Sequence, residues 1–197
     1  ARQQAVVLEN YPLRYNGPFN KDRQGNLALL FTGTLTMARG GTFIEAILAA
    51  DARVKVIMAG WCNDEGVKRL LHHERVEYRG LLPQQDVMRI AATEADYIVC
   101  LYPADNQNNI YASPNKIWDA LQSRTPVIIN SEVRVAKLVR EMRLGVVRDT
   151  AELLSDSSVV EDLWKSRDSI MVDDAQAERH SWESVECKLT RSHDDKA

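Results

Sequence analysis

LALLFTGTLTMARGGTFIEAILAADARVKVIMAG, residues 27–60, passes from strand to helix and back to strand within 34 positions. Leu27–Thr32 is a continuous apolar run of strand length, closed by Gly33. Phe43, Ile44, Ile47 and Leu48 then recur at the spacing of one helix face. Val54–Ala59 is a second apolar strand, closed by Gly60. A strand that is apolar at nearly every position is buried on both faces, which is the mark of a parallel sheet covered by helices.

The alternation continues outward. Residues 64–73 read as helix and Val76–Arg79 as strand. Pro83–Thr93 opens with a first-turn Pro and repeats Val87, Ile90 and Ala91 on one face. Tyr97–Leu101 is strand, Tyr102–Ala112 a polar loop, and Ser113-Pro114 opens a helix with a capping hydroxyl. Pro126–Ile129 is strand, Val135–Met142 helix and Gly145–Val147 strand. The pattern predicts an α/β fold: a Rossmann-like, doubly wound parallel sheet of about six strands. Residues 158–192 read as a polar helical tail. We divide the chain into a linker at 1–26, rich in turn residues around Ala5–Leu8, a core domain at 27–157, and the helical tail at 158–197.

Composition narrows the function classes. At 197 residues, with 45% hydrophobic and 27% charged side chains, the chain is an ordinary globular one. No apolar run approaches the roughly 18–20 residues needed to span a bilayer. The absence of a signal peptide, and three scattered cysteines without CxxC spacing, predict a reducing cytoplasmic compartment. A start at Ala1 rather than Met is expected of a processed or excised piece. Residues 150–197 carry 12 acidic and 6 basic side chains, net −6; residues 1–149 carry 16 acidic and 19 basic, net +3. A mildly basic body suits a small anionic ligand and is too weakly charged for a nucleic-acid groove, so no nucleic-acid partner is expected.

In an open parallel sheet, ligands bind beyond the carboxyl ends of the strands, near helix N-termini. The first loop so placed runs Gly33-Thr34 to Arg39-Gly40-Gly41, where a guanidinium beside free helix N–H groups could receive a diphosphate. The second is Tyr111-Ala112-Ser113-Pro114-Asn115-Lys116. Ser113 is expected to cap the helix, Lys116 to add a cation on its first turn, and Asp119 to accept two ribose hydroxyls one turn on. Each loop also has a plain reading, as a βα turn with an exposed Arg or a helix cap followed by a surface Asp. Adjacent His72 and His73 point about 100° apart on a helix and cannot share a metal ion well, and no Cys/His/Asp spacing suggests one. Cys100 reads as a buried thiol. Trp118 and Trp182 read as helix-packing residues. P-loop, GxSxG and GxGxxG motifs are absent.

Taken together, LLFTGTLTMARGG, VKVIMAG, VEYRGLLPQQDVMRIAATEADYIVCLYP, SPNKIWDALQSRTPVIIN and LGVV occur in an order that resembles a known family. It is the C-terminal, donor-binding domain of retaining GT-B glycosyltransferases, closest to the family-4 type of bacterial surface-polysaccharide synthesis. The resemblance covers about residues 27–149, and HSWESVECKL is similar to that family's closing helix. It implies that Gly33 and Thr34 face the donor phosphates and that Arg39 binds the diphosphate. It implies that Gly80, Leu81 and Leu82 meet the nucleotide base, and that Ala112 and Ser113 lie beside the phosphate and sugar. Asp119 stands at the second, ribose-binding Glu of the family's E-x7-E pattern, one methylene shorter. The first Glu falls at Tyr111, which carries no carboxylate.

The resemblance further implies a nucleotide-diphosphate sugar as donor, with no cofactor and no metal required. The acceptor site would lie on an N-terminal Rossmann domain, to which residues 1–26 would be the link. A full enzyme of this kind can associate peripherally with membrane. No catalytic nucleophile or base can be named in the chain. Alternatives are a non-hydrolysing nucleotide-sugar epimerase, a non-catalytic nucleotide-sugar-binding domain, and an unrelated dinucleotide-binding domain.

Overall fold

The computed structural model describes residues 9–19, 25–155 and 158–186. Ala5–Leu8, Cys187 and His193 lie outside them. Six strands form one parallel sheet: β1 Leu27–Leu35, β2 Val54–Cys62, β3 Val76–Tyr78, β4 Tyr97–Cys100, β5 Val127–Asn130 and β6 Gly145–Arg148. Their order across the sheet is β3-β2-β1-β4-β5-β6, the doubly wound arrangement expected from the sequence. Helices α1 Gly41–Ala50, α2 Glu65–Leu70, α3 Gln84–Thr93, α4 Gln107–Ile110, α5 Asn115–Ser123 and α6 Ala136–Glu141 lie between the strands, followed by α7 Thr150–Ser155, α8 Ser158–Ser166 and α9 Asp174–Arg179.

The alternation of side chains along each strand feeds two cores. Leu29, Phe31, Tyr97 and Val99 point to the face covered by α1, with Phe43, Ile44 and Ile47. Leu30, Ile98 and Cys100 point to the opposite face, with Ile90, Ile117 and Leu121 from α3 and α5. Burying each such aliphatic or aromatic side chain contributes roughly 1.5–3 kcal/mol. The described part of the tail shares this packing. Val159, Val160 and Leu163 of α8 are buried in the first core, and the Tyr97 hydroxyl donates to the Leu163 carbonyl at 2.9 Å.

Neither Gly33 nor Gly60 ends its strand, contrary to the sequence reading. β1 and β2 stay paired through Gly33↔Gly60 and on to Leu35↔Cys62. The physical reason is close approach. At Gly60, where φ is +148°, a Cβ would stand 1.9 Å from the Gly33 carbonyl oxygen, so only glycine allows the ladder to continue. Three further expectations need correction. α2 stops at Leu70, so His72 and His73 lie in the turn before β3, where His73 Nδ1 accepts from the Arg75 backbone N–H at 3.1 Å. The 102–112 loop contains one helical turn, α4, capped by the Asn106 side chain. Ser113 does not cap α5: Pro114 holds the cap position with no side-chain bond, and Ser113 Oγ donates to Glu9 Oε2 at 2.8 Å.

That last bond belongs to a wider contact. Residues 9–19 lie along α5 and α9. The Tyr11 ring meets Trp118 edge-on at 4.8 Å, and Trp118 stacks on His180 at 5.4 Å. The Trp182 backbone N–H donates to the Pro12 carbonyl, and Arg14 pairs with Glu178. Trp118 therefore packs, as the sequence reading expected.

Candidate functional site

The strand order reverses between β1 and β4, and a cavity of about 620 Å³ opens there at the carboxyl ends of the strands. Its floor is Thr32, Gly33 and Thr34 of β1 with Ala59, Gly60 and Trp61 of β2. One wall carries Leu81, Leu82 and Gln84, the other Leu101, Tyr102 and Arg39. Ser113, Pro114, Asn115, Lys116 and Asp119 close the side formed by α5. The structure thus gathers Gly33, Thr34, Arg39, Leu81, Leu82, Ser113, Lys116 and Asp119 around one cleft. Ala112 is not among its lining residues; its N–H donates back to the Asn109 carbonyl at 3.3 Å.

Arg39 is held from several sides. It ends a 3-10 turn, Met37–Arg39, which Thr36 caps by accepting from the Arg39 N–H at 3.2 Å. Asp64, the cap of α2, also accepts from the Met37 N–H at 3.0 Å and so ties this loop to the next helix. The guanidinium lies 5.0 Å from the Tyr102 ring centroid and donates, at 3.4 Å, to Oδ1 of buried Asn109. Tyr102 is itself clamped: Asn130 at the end of β5 accepts from its N–H at 3.0 Å and donates to its carbonyl at 2.9 Å. Burial pushes the Tyr102 hydroxyl up to about 12. The ring is therefore a neutral platform under a fixed cation.

Lys116 does not project into solvent from the first turn of α5. Its ammonium donates to the Val99 carbonyl at 3.1 Å and lies 5.4 Å from the Phe31 ring centroid. Desolvation pulls its pKa below the ordinary lysine value. Asp119 is no surface charge either. It is buried, and Gln84 Nε2 donates to its Oδ1 at 2.8 Å. Burial pushes its carboxyl up to about 6, against the opposing pull of the Gln84 bond and the Lys116 charge. Cys100, at the end of β4, is fully buried and its thiol is pushed up to about 11, as expected of an inert core cysteine.

Sequence reasoning missed Gln84, Tyr102, Asn109 and Trp61. Gln84 follows Pro83 on the first turn of α3, a position that could have been suspected from the same rule that selected Lys116. Trp61 directly follows Gly60 at a strand's carboxyl end. Among the described residues, no three His, Cys, Asp or Glu side chains are grouped as metal ligands would be.

The sheet order is the general doubly wound one, and the solved structures that the chain matches give it the fold of the C-terminal domain of GT-B glycosyltransferases. No family model matches the chain, and no curated protein matches it in sequence. Solved structures match it in fold. Sucrose-phosphate synthase from Thermosynechococcus elongatus aligns over 86% of this chain and 45% of its own, with 13% identity and a TM-score of 0.62. Anabaena HepE, solved in complex with UDP and glucose, aligns over 87% and 49%, with 15% identity and a TM-score of 0.61. A Listeria monocytogenes structure described as a UDP-N-acetylglucosamine 2-epimerase aligns over 88% and 47%, with 13% identity and a TM-score of 0.55. The chain spans about half the length of each of these.

Proposed function

We propose that this chain is the donor-binding half of a glycosyltransferase and that the cleft holds the diphosphate and ribose of a nucleotide sugar. The observation that carries the reading is the convergence of Arg39, Lys116 and Asp119 on one cavity at the switch point of the sheet. Arg39 and the N-terminal turns of α1 and α5 receive the diphosphate, with Lys116 behind them. Asp119 accepts ribose hydroxyls in place of, or beside, its bond from Gln84. HepE, a neighbour in fold, is solved with UDP-glucose, which supports a nucleotide sugar as ligand.

Transfer with retention would then draw on these protein charges to neutralise the leaving diphosphate, without calling on a metal. The acceptor hydroxyl would come from a second Rossmann domain, since the matched structures are about twice as long. The pathway this suggests is surface-polysaccharide synthesis in the cytoplasm, with peripheral attachment of the whole enzyme to membrane. Among the described residues, no helix is long and apolar enough to cross one.

Calorimetry with UDP, GDP, ADP and NAD tests the reading. A nucleoside diphosphate should bind and NAD should not; preferential binding of NAD overturns it. The epimerase alternative has one observation in its favour, the fold shared with the Listeria structure. Against it, His72 and His73 sit in the turn before β3, at the amino end of the sheet and away from the cleft.

A further inference from the structure

The cleft is polar at one end and apolar at the other, and its most exposed aromatic has no role so far. Trp61 is 64% exposed at the end of β2 and lines the cavity, and Leu81, 58% exposed, lines the same rim. Trp118 is covered by Tyr11 and His180, and Trp164 by Arg53 and Arg167, while Trp182, 38% exposed, lies outside the cleft. Two large apolar side chains left in water on one edge of a binding cleft call for an apolar ligand surface.

Their placement is rigid. Gly60 has no room to shift, since even a Cβ there would meet the Gly33 carbonyl. Its N–H donates to the Gly80 carbonyl at 2.8 Å, and its own carbonyl accepts from the Tyr78 hydroxyl at 2.9 Å. The backbone before Trp61 is therefore bonded directly to the turn that carries Leu81. The strand order sets this rim apart from Arg39. Trp61 is the penultimate residue of β2 and Leu81 follows β3, whereas Tyr102, which carries the Arg39 guanidinium, follows β4. β2 and β4 are two inter-strand spacings apart and β3 and β4 three, about 10 and about 14 Å at roughly 4.8 Å each. The Gln84–Asp119 pair joins the helices on either side of β4 and lines the cleft between its two ends.

We infer that the Trp61 indole is the platform on which the flat base of a nucleoside diphosphate stacks, with Leu81 closing the same apolar rim. The inference rests on the nucleotide reading above and extends it by naming the side chain that binds the base. Base, ribose and diphosphate then lie in order along Trp61–Leu81, Asp119–Gln84 and Arg39–Tyr102. Stacking tolerates any base, since each has a π-face, so Trp61 supplies affinity for the nucleoside while the backbone of the Gly80–Leu82 turn is left to tell bases apart.

The test is calorimetry of UDP, GDP and pyrophosphate on the wild type, Trp61→Ala and Trp61→Phe, with melting temperatures measured alongside. Trp61→Ala should weaken UDP and GDP by about fivefold or more and leave pyrophosphate within about twofold. Trp61→Phe should recover most of the loss, and the melting temperatures should agree because the indole is exposed. Unchanged nucleotide affinity in Trp61→Ala, or an equal loss for pyrophosphate, overturns the inference. A wild-type protein that binds no nucleotide overturns the functional reading itself, and that failure is distinguishable because it precedes any substitution.

Discussion

Gln84 Nε2 on the first turn of α3 donates to Asp119 Oδ1 in the middle of α5 at 2.8 Å, joining the two helices that flank β4. The bond satisfies a carboxyl group that burial would otherwise leave without a partner. It also occupies the oxygen that a ribose hydroxyl would approach.

Asp119→Asn should therefore separate stability from binding. The folded-state pKa, near 6, lies above the ordinary aspartate value of 3.8. Between those values the folded state holds a proton that the unfolded state has released, so wild-type stability falls as pH rises from about 4 to 7. The amide introduced by the substitution does not titrate. The melting temperature of Asp119→Asn relative to wild type should rise across that interval, by at most the equivalent of about 3 kcal/mol. Nucleotide affinity should fall while pyrophosphate affinity holds. A flat difference between pH 4 and 7 would contradict the buried carboxyl.

Arg39→Ala should weaken diphosphate binding by roughly 1.5–3 kcal/mol, the range for a hydrogen bond to a charged group. Thermal stability should scarcely change, because the side chain's protein contacts are one long hydrogen bond and the face of Tyr102. Calorimetry and a thermal melt on the same preparation distinguish this from a structural role, which would lower the melting temperature and spare affinity.

The two glycines at the cleft floor should respond differently to alanine. Gly60→Ala drives a Cβ into the Gly33 carbonyl and should cost more than about 3 kcal/mol or prevent folding. Gly33→Ala meets only Lys116 Cε at 3.9 Å, so its cost is the strain of φ +86°, about 1–3 kcal/mol. Urea unfolding of both variants checks the order, which equal losses would refute.

Tyr97→Phe should cost about 1 kcal/mol, because it removes a buried hydroxyl that ties β4 to α8 through Leu163 and Ser166. Hydrogen exchange should show α8 opening more readily than the sheet. No change in α8 protection would mean that Val159, Val160 and Leu163 hold the helix unaided.

For the whole chain, the expected behaviour is donor binding without transfer. On the half-enzyme reading proposed above, the phosphates stay in contact with water and the acceptor has nowhere to bind, so the entropic gain from holding two reactants together is lost. A sugar-nucleotide consumption assay, with and without a Rossmann domain fused upstream, measures this. Robust transfer by residues 1–197 alone would contradict the half-enzyme reading.

The sequence by itself determined the sheet and the loops at its carboxyl edge. Runs such as Leu27–Thr32 and Val54–Ala59 are apolar on both sides of the pleat, so they must be covered on both faces, and the helical spacing of Phe43, Ile44 and Ile47 states what covers them. Position near helix N-termini singled out Arg39 and Lys116, with Asp119 one turn further on, as candidates that a plain turn or a surface charge would also explain, and the family resemblance supplied their expected roles. Tertiary structure decided what those side chains do. Gln84 and Asp119 are 35 residues apart, Ser113 and Glu9 104 apart, and nothing in either local pattern names the partner. Periodicity reports which face of an element avoids water; which polar group crosses to which depends on how the crossovers bring distant turns together. Lys116 turned toward Val99 and Phe31, and Trp61 left beside Leu81, for that reason: each follows from neighbours that only the closed sheet supplies.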